Sequence, residues 1–154
     1  MSDVRAIAAE ETHELRRRVL RPHQSIAQMV YPGDDAPDAR HFGAFLDGAL
    51  VGIASIYRED DVEASGQARA GGFRLRGMAT LDEVRGRGFG AALLRACLEH
   101  AARSGAHYVW CNARTTASGF YEVLGFKPIG AVFELAGIGP HVRMRREISD
   151  EASA

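Results

Sequence analysis

Arg85-Gly86-Arg87-Gly88-Phe89-Gly90 joins an apolar run at residues 73–80 to an amphipathic run at residues 88–103. Glycine at every second position lets the backbone turn sharply and come close to a bulky ligand, because no Cβ stands in the way. Two arginines add positive charge beside the glycines. A helix starting near Gly88 aims its unpaired N–H groups and the positive end of its dipole at the same place, so the segment reads as a phosphate-binding loop. In that helix Phe89, Leu93, Leu94, Cys97, Leu98 and Ala101 recur at helical spacing, with Arg95, Glu99 and Arg103 opposite and Ser104-Gly105 as the stop. A short strand rich in bulky residues follows at 107–111. Strand, helix and strand in that order require a parallel pair with a right-handed crossover.

Outward from this unit the pattern is antiparallel. Residues 42–46 and 49–57 flank Asp47-Gly48, a strong hairpin signal. Residues 10–21 read as a helix, with Glu10, Glu11 and Glu14 early, Arg16, Arg17 and Arg18 late, and Leu15 and Val19 toward the core. Residues 22–40 hold three prolines and the turn signal Pro32-Gly33-Asp34-Asp35, which predicts a loop with one short helix near 25–29. Residues 59–71 are acidic, small and polar, and are expected to form an exposed loop, the most mobile internal segment. Residues 117–124 read as a short helix ended by Gly125. Strands at 126–134 and 141–148 surround an Ala136-Gly137-Ile138-Gly139-Pro140 loop. The expected fold is α/β in the α+β sense: one domain over residues 1–148, with a mostly antiparallel mixed sheet flanked by helices, and a frayed tail at 149–154.

Bulk properties narrow the function. A chain of 154 residues, 46% hydrophobic and 25% charged, has the size of one domain with a full core. Eighteen arginines and one lysine, Lys127, are balanced by 20 acidic residues to a net charge of −1, which argues against a general nucleic-acid binder. No run approaches the ~18 apolar residues of a membrane span, and the N-terminus lacks a basic stretch followed by an apolar core, so a cytoplasmic protein without membrane contact is expected. Cys97 and Cys111 form no Cys-x-x-Cys, and no histidines cluster at ligand spacing. Reduced, mostly buried thiols and no metal site are expected.

Gly86-x-Gly88-x-x-Ala91 also satisfies a loose dinucleotide fingerprint, a short pattern that arises often by chance. That fold wants an acid on the ribose after the next strand, where Trp110-Cys111-Asn112-Ala113 stands instead. A nucleoside-triphosphate loop needs Gly-Lys followed by Ser or Thr, and the single lysine is elsewhere. Arg85, Gly88 and Gly90 instead match an Arg or Gln, two residues, Gly, one residue, then Gly or Ala. Upstream stands Met78-Ala79-Thr80-Leu81-Asp82-Glu83-Val84, and downstream Asn112-Ala113-Arg114, Ala117 and Phe120-Tyr121-Glu122-Val123-Leu124-Gly125-Phe126. Together these blocks, over about residues 73–128, resemble the GNAT acetyltransferase family, whose loop binds acetyl-CoA.

The resemblance implies a splayed parallel strand pair whose free backbone, around Met78 and Thr80, binds the pantetheine arm as an added strand would. It assigns the diphosphate to Arg85, Gly86, Arg87, Gly88, Phe89 and Gly90. It makes the Met78 N–H the oxyanion donor for the attacked thioester, and Tyr121 the acid beside the departing thiolate. Arg114 stands seven residues before Tyr121, where many relatives carry an Asn on the pantetheine arm, and is available to a phosphate. Asn112 is not counted as catalytic. His41, Glu134 and His141 fall near strand ends at the family's acceptor cleft and are candidates for the general base, as are ordered water and backbone carbonyls. Asp34-Asp35 and Glu59-Asp60-Asp61 are candidates for steering a cationic acceptor, against the plainer reading of solvated loop faces. The implied activity is N-acetyl transfer from acetyl-CoA, as co-substrate, to a primary amine on a small metabolite or a protein. The alternative is a non-catalytic acyl-CoA-binding regulatory module. Acceptor choice is expected to reside in the 22–40 and 136–140 loops. Dimerisation is common in the family, and nothing in this sequence decides whether a homodimer forms.

Overall fold

Hydrophobic alternation and the Asp47-Gly48 turn organise the first half of the chain. In the computed structural model, which describes residues 3–63 and 65–148, β2 (Arg40–Leu46) and β3 (Ala49–Arg58) form that hairpin. Asp47 and Gly48 both take positive φ, 51° and 82°, the two-residue turn whose twist suits paired strands. The strand β1 (Asp3–Ile7) adds antiparallel to β2 at the sheet edge. Its side chains are mostly exposed or half-buried, so its sequence carries no alternation to reveal it. The sheet continues through β6 (Gly72–Thr80), β7 (Tyr108–Arg114), β9 (Gly139–Glu147) and β8 (Lys127–Leu135), in the order β1-β2-β3-β6-β7-β9-β8. Every pair is antiparallel except β6/β7. This is the mixed, mostly antiparallel sheet expected from the sequence.

The crossover between β6 and β7 is α2 (Phe89–Arg103). Its buried stripe, Phe89, Leu93, Leu94, Cys97, Leu98 and Ala101, closes the main core against Phe73, Leu75, Val109, Cys111 and Ala113 of the parallel pair. The short α3 (Ser118–Val123) seals the same face with Tyr121. On the other face a smaller cluster of Leu15, Ile53 and Ala79 packs under the first helical segment. That segment is not one regular helix. A 3₁₀ turn (Ala9–Thr12), one α turn, α1 (His13–Leu15), and a π-helical turn (Arg16–Leu20) follow each other. Arg16, read from the sequence as one of three arginines late in a helix, sits at the switch to the π turn and is fully buried.

Residues 59–71 depart from expectation. They carry a two-stranded ribbon, β4 (Asp61–Val62) with β5 (Ala68–Arg69), pinned over the β7–β9 face. Asp61 is 1% exposed and takes Arg143 at 2.6 Å and Arg145 at 2.9 Å. The Trp110 Nε1–H donates to the Glu59 carbonyl at 2.8 Å, and the Asp61 N–H donates to the Tyr108 hydroxyl at 2.8 Å. Local composition reads as a loop because the arginines that hold it lie more than 80 residues away. The expected tail at 149–154 lies outside the described residues.

Candidate active site

The parallel ladder of β6 and β7 runs from Gly72 opposite Tyr108 to Arg74 opposite Trp110 and stops there. Past that point a bulge breaks the pairing of β6 with β3: Ser55 faces Arg76 and Ile53 faces Ala79, which leaves Gly77 and Met78 without ladder partners. Gly77 has φ 67°, a conformation that a side chain strains, and a Cβ there would lie 3.5 Å from Arg16 Nε and 3.6 Å from the Tyr31 ring. The strands part around a cleft of about 420 Å³ that Met78, Arg114, Tyr121 and His141 all line. Met78 lines this opening and has no ladder partner in β3 or in β7.

Loop residues 85–90 make the turn that leads into α2. Gly86 (φ 78°) and Gly88 (φ 88°) supply the turn, and a Cβ on either meets nothing in the protein, so the space above the loop is open. Gly90 is different. A Cβ there would come within 3.4 Å of Phe120, so this glycine sets the approach of α2 to α3. Gly88 is the helix N-cap with no side-chain cap, and the first α2 bond is Ala92 N–H to the Gly88 carbonyl at 3.1 Å. The N–H groups of Phe89, Gly90 and Ala91 therefore remain for an outside acceptor. Arg85 and Arg87 are exposed beside them, Arg85 within 3.1 Å of Asp82. Arg85 lines a separate hollow with Arg18 and Leu81, whereas Arg114 stays with the cleft, donating to the Leu20 carbonyl at 3.1 Å. Thr80 closes β6 opposite Gly52.

Tyr121 is 7% exposed, edge-on to Phe120 at 5.2 Å and to Phe126 at 5.5 Å between ring centroids. It therefore packs as a core aromatic and also borders the cleft, and its hydroxyl has no hydrogen-bond partner among the described residues. Burial, with the neighbouring Cys111 and Cys97 acting in the same direction, pushes its phenol well above the ordinary value. Both cysteines are free and buried, and burial pushes the Cys111 thiol up to about 12.

The three base candidates separate. His41 is buried on the far side of the bulge, with Nδ1 2.7 Å from Ser55 Oγ and Nε2 3.0 Å from the Asp34 carbonyl, so both nitrogens are occupied. Glu134 is exposed on β8 and does not border the cleft. His141 does border it. Its Nδ1 lies 2.8 Å from the Gly139 carbonyl, which can only accept, so Nδ1 carries the hydrogen and the neutral ring keeps its lone pair on Nε2. Asn112 stands within β7 and accepts from Arg143 Nε at 3.1 Å.

Of the acidic steering candidates, Asp34 is buried under the bulge, bound through both oxygens to Arg16 at 2.7 and 3.0 Å, and Asp61 is consumed by Arg143 and Arg145, while Asp35, Glu59 and Asp60 stay exposed and do not border the cleft. What lines the cleft instead is arginine: Arg74 and Arg76 of β6, Arg114 of β7 and Arg21. Arg74 and Arg76 alternate with Phe73 and Leu75, a pattern visible in the sequence that sends both cations to the face away from α2.

Residues 5–148 match the family described as "Acetyltransferase (GNAT) domain". The chain belongs to the GNAT acetyltransferase family. Among curated proteins it is 41% identical over 148 residues to the uncharacterised N-acetyltransferase YitI of Bacillus subtilis (strain 168), covering 96% of this chain and 97% of YitI. Its fold is similar to Escherichia coli ElaA, with TM-score 0.75 and 24% identity over 96% of this chain and all of that one. It is also similar to an aminoglycoside 6'-N-acetyltransferase complexed with coenzyme A, with TM-score 0.74 and 14% identity over 96% and 97% of the two chains. The protein is a GNAT N-acetyltransferase, an enzyme of a family that uses acyl-CoA and acetylates amines. Among the described residues no helix is long and apolar enough to cross a membrane, and no group of three or more metal-ligating side chains converges.

Proposed function

We propose that the enzyme binds acetyl-CoA across the α2 N-terminus and the β6/β7 opening and passes the acetyl group directly to a primary amine in the cleft. What supports this reading is a pair of features: an uncapped fifteen-residue helix start beside two arginines, and a bulged strand with unpaired backbone at Met78. The first suits a diphosphate, held by the N–H groups of residues 86–90 with Arg85 and Arg87. The second suits the amide-bearing arm, held along Met78 and Thr80. Arg114 shares the cleft with Arg76 instead of joining the loop.

In the transfer, the amine lone pair forms a bond to the thioester carbonyl carbon, and the oxygen takes up negative charge that the Met78 N–H faces. The carbon–sulfur bond then breaks, and the electron pair leaves on sulfur. Tyr121 stabilises that thiolate by hydrogen bond, since a phenol pushed upward by burial stays protonated but is a poor source of a free proton. His141 Nε2 takes the proton that the new amide must lose. The thiolate takes a proton from water while the His141 imidazolium returns its proton to water, which completes the thiol and restores the base.

Two measurements probe separate halves of the site. Arg87→Glu sets a carboxylate against the diphosphate and is expected to raise the acetyl-CoA Kd at least about tenfold, consistent with loss of a charge-assisted contact; unchanged affinity by calorimetry would contradict the loop assignment. His141→Gln keeps a side chain of similar length without the basic nitrogen, and is expected to lower kcat at neutral pH by about 10²-fold with acetyl-CoA affinity retained. The reading as a whole is tested by release of free thiol when the protein, acetyl-CoA and pooled amines are mixed, with mass spectrometry of the product. Absence of release across a broad amine panel, with coenzyme bound, would sink it.

A further inference from the structure

The cleft is walled by cations without anions. Arg21, Arg74, Arg76 and Arg114 line it, and no aspartate or glutamate does. Elsewhere on the same face the fold gives its covered arginines a carboxylate: Arg16 has Asp34, Arg143 and Arg145 have Asp61, and Arg69 has Glu147. Arg74 reaches Glu59 at 3.2 Å. Arg76 has neither a hydrogen bond nor an ion pair among the described residues, and its guanidinium lies 4.2 Å from the centre of the Tyr31 ring, which Arg16 also approaches at 4.0 Å. Arg114 and Arg21 share one neutral acceptor, the Leu20 carbonyl, at 3.1 and 2.9 Å. Burial, and then like charges nearby, weaken the hold of Arg76 and Arg114 on their protons. Cations drawn partly out of water and held near one another raise the free energy of the empty cleft, and an anion offsets both effects.

We infer that the acceptor is an amine bearing an anionic group of the carboxylate type, which docks on Arg76 and Arg114 while its amine faces the thioester. The inference rests on the acetyl-transfer reading and narrows it. A guanidinium presents a planar fork of donors that matches a carboxylate through two parallel bonds. Tyr31, Leu135 and Ile138 supply apolar wall beside the cations, which suits the remainder of a small amino acid-like molecule. Polyamines and other multiply cationic acceptors are disfavoured by the same charge. The coenzyme diphosphate is a less suitable occupant of these arginines: Arg74 and Arg76 face away from α2, whose own N-terminus carries the anion-binding loop.

The test uses matched amines: a panel of α-amino acids against their own amides, and O-phosphoethanolamine against ethanolamine. Thiol release is followed at saturating acetyl-CoA, and binding of the same amines to the coenzyme A-loaded protein is measured by calorimetry. At least one amino acid is expected to exceed its amide by about 10–100-fold in kcat/KM, the range for a charged hydrogen-bonded contact. Arg76→Gln is expected to bring that ratio close to one while acetyl-CoA affinity stays within about twofold. Equal handling of acids and amides in both rate and binding overturns the inference, as does an Arg76→Gln variant that loses acetyl-CoA as severely as acceptor. A preference confined to the phosphate pair overturns the carboxylate assignment. If no amine is acetylated yet the loaded protein binds amino acids over their amides, the acetyl-transfer reading fails and the anion site stands.

Discussion

Tyr121→Phe is expected to lower kcat by about 10²–10⁴-fold, the usual worth of a positioned acid, while acetyl-CoA affinity and Tm stay close to those of the parent. The separation of effects follows from the geometry. The ring supplies the packing against Phe120 and Phe126, and phenylalanine keeps it. The hydroxyl forms no hydrogen bond within the described protein, so its removal strands no buried partner. Burial pushes the phenol upward, so Tyr121 remains neutral from pH 7 to beyond the ordinary phenol value of about 10. Activity is accordingly expected to show no alkaline decline from this group below about pH 10. A variant that retains kcat within threefold of the parent would remove Tyr121 from the mechanism and leave it a core aromatic.

The second large effect concerns the platform beneath the cleft. Asp34→Ala is expected to destabilise the fold by about 3–5 kcal/mol, because it leaves the Arg16 charge buried without its partner. In a chain of this size that corresponds to a fall in Tm on the order of 10 °C by calorimetry. Arg16 also donates to the Met29 carbonyl and to Ser55 and Tyr57, and Asp34 accepts from Tyr57 and from the Tyr31 N–H. These groups sit directly under Gly77, so the loss should loosen the bulge and raise the acceptor KM as well. Replacing both members, Arg16→Met with Asp34→Leu, is expected to cost less than Asp34→Ala alone, since no lone charge remains. A single variant as stable as the parent would show that the pair adds nothing.

The pH dependence of this platform has a definite sign. Burial by itself raises the Asp34 carboxyl, but hydrogen bonds from Arg16, Tyr57 and the Tyr31 N–H together outweigh it and hold the carboxyl below its ordinary value. The folded protein therefore binds fewer protons at this site than the unfolded chain as pH falls through the ordinary carboxylate range. The stabilisation is fully present above about pH 4 and is lost as pH drops further through the lowered value. Acid unfolding that begins below about pH 4 in the parent should lose that component in the double replacement.

Much of the fold can be read along the chain because its determinants are local. The Asp47-Gly48 turn, the apolar stripe from Phe89 to Ala101 and the glycines after Arg85 each act within a few residues, and each stands where the sequence predicts. The strand–helix–strand order then forces the parallel pair that carries the cleft. The charged residues were less legible. Asp34, Asp61 and His41 look like available groups in the sequence, and Arg16 like one more cation late in a helix, yet all four are buried and partnered. Only Arg74 and Arg76 announced their face, through alternation with Phe73 and Leu75.

From its residues alone the chain determined the central hairpin, the crossover helix and the glycine loop before it, since backbone propensity and hydrophobic period are properties of neighbours. Which carboxylates are spent on which arginines was decided by tertiary structure, because a salt bridge joins residues 18 positions apart in Arg16 and Asp34 and more than 80 apart in Asp61 and its partners. Once those pairings are subtracted, the charge left facing the cleft is positive, opposite in sign to what the acidic runs suggest.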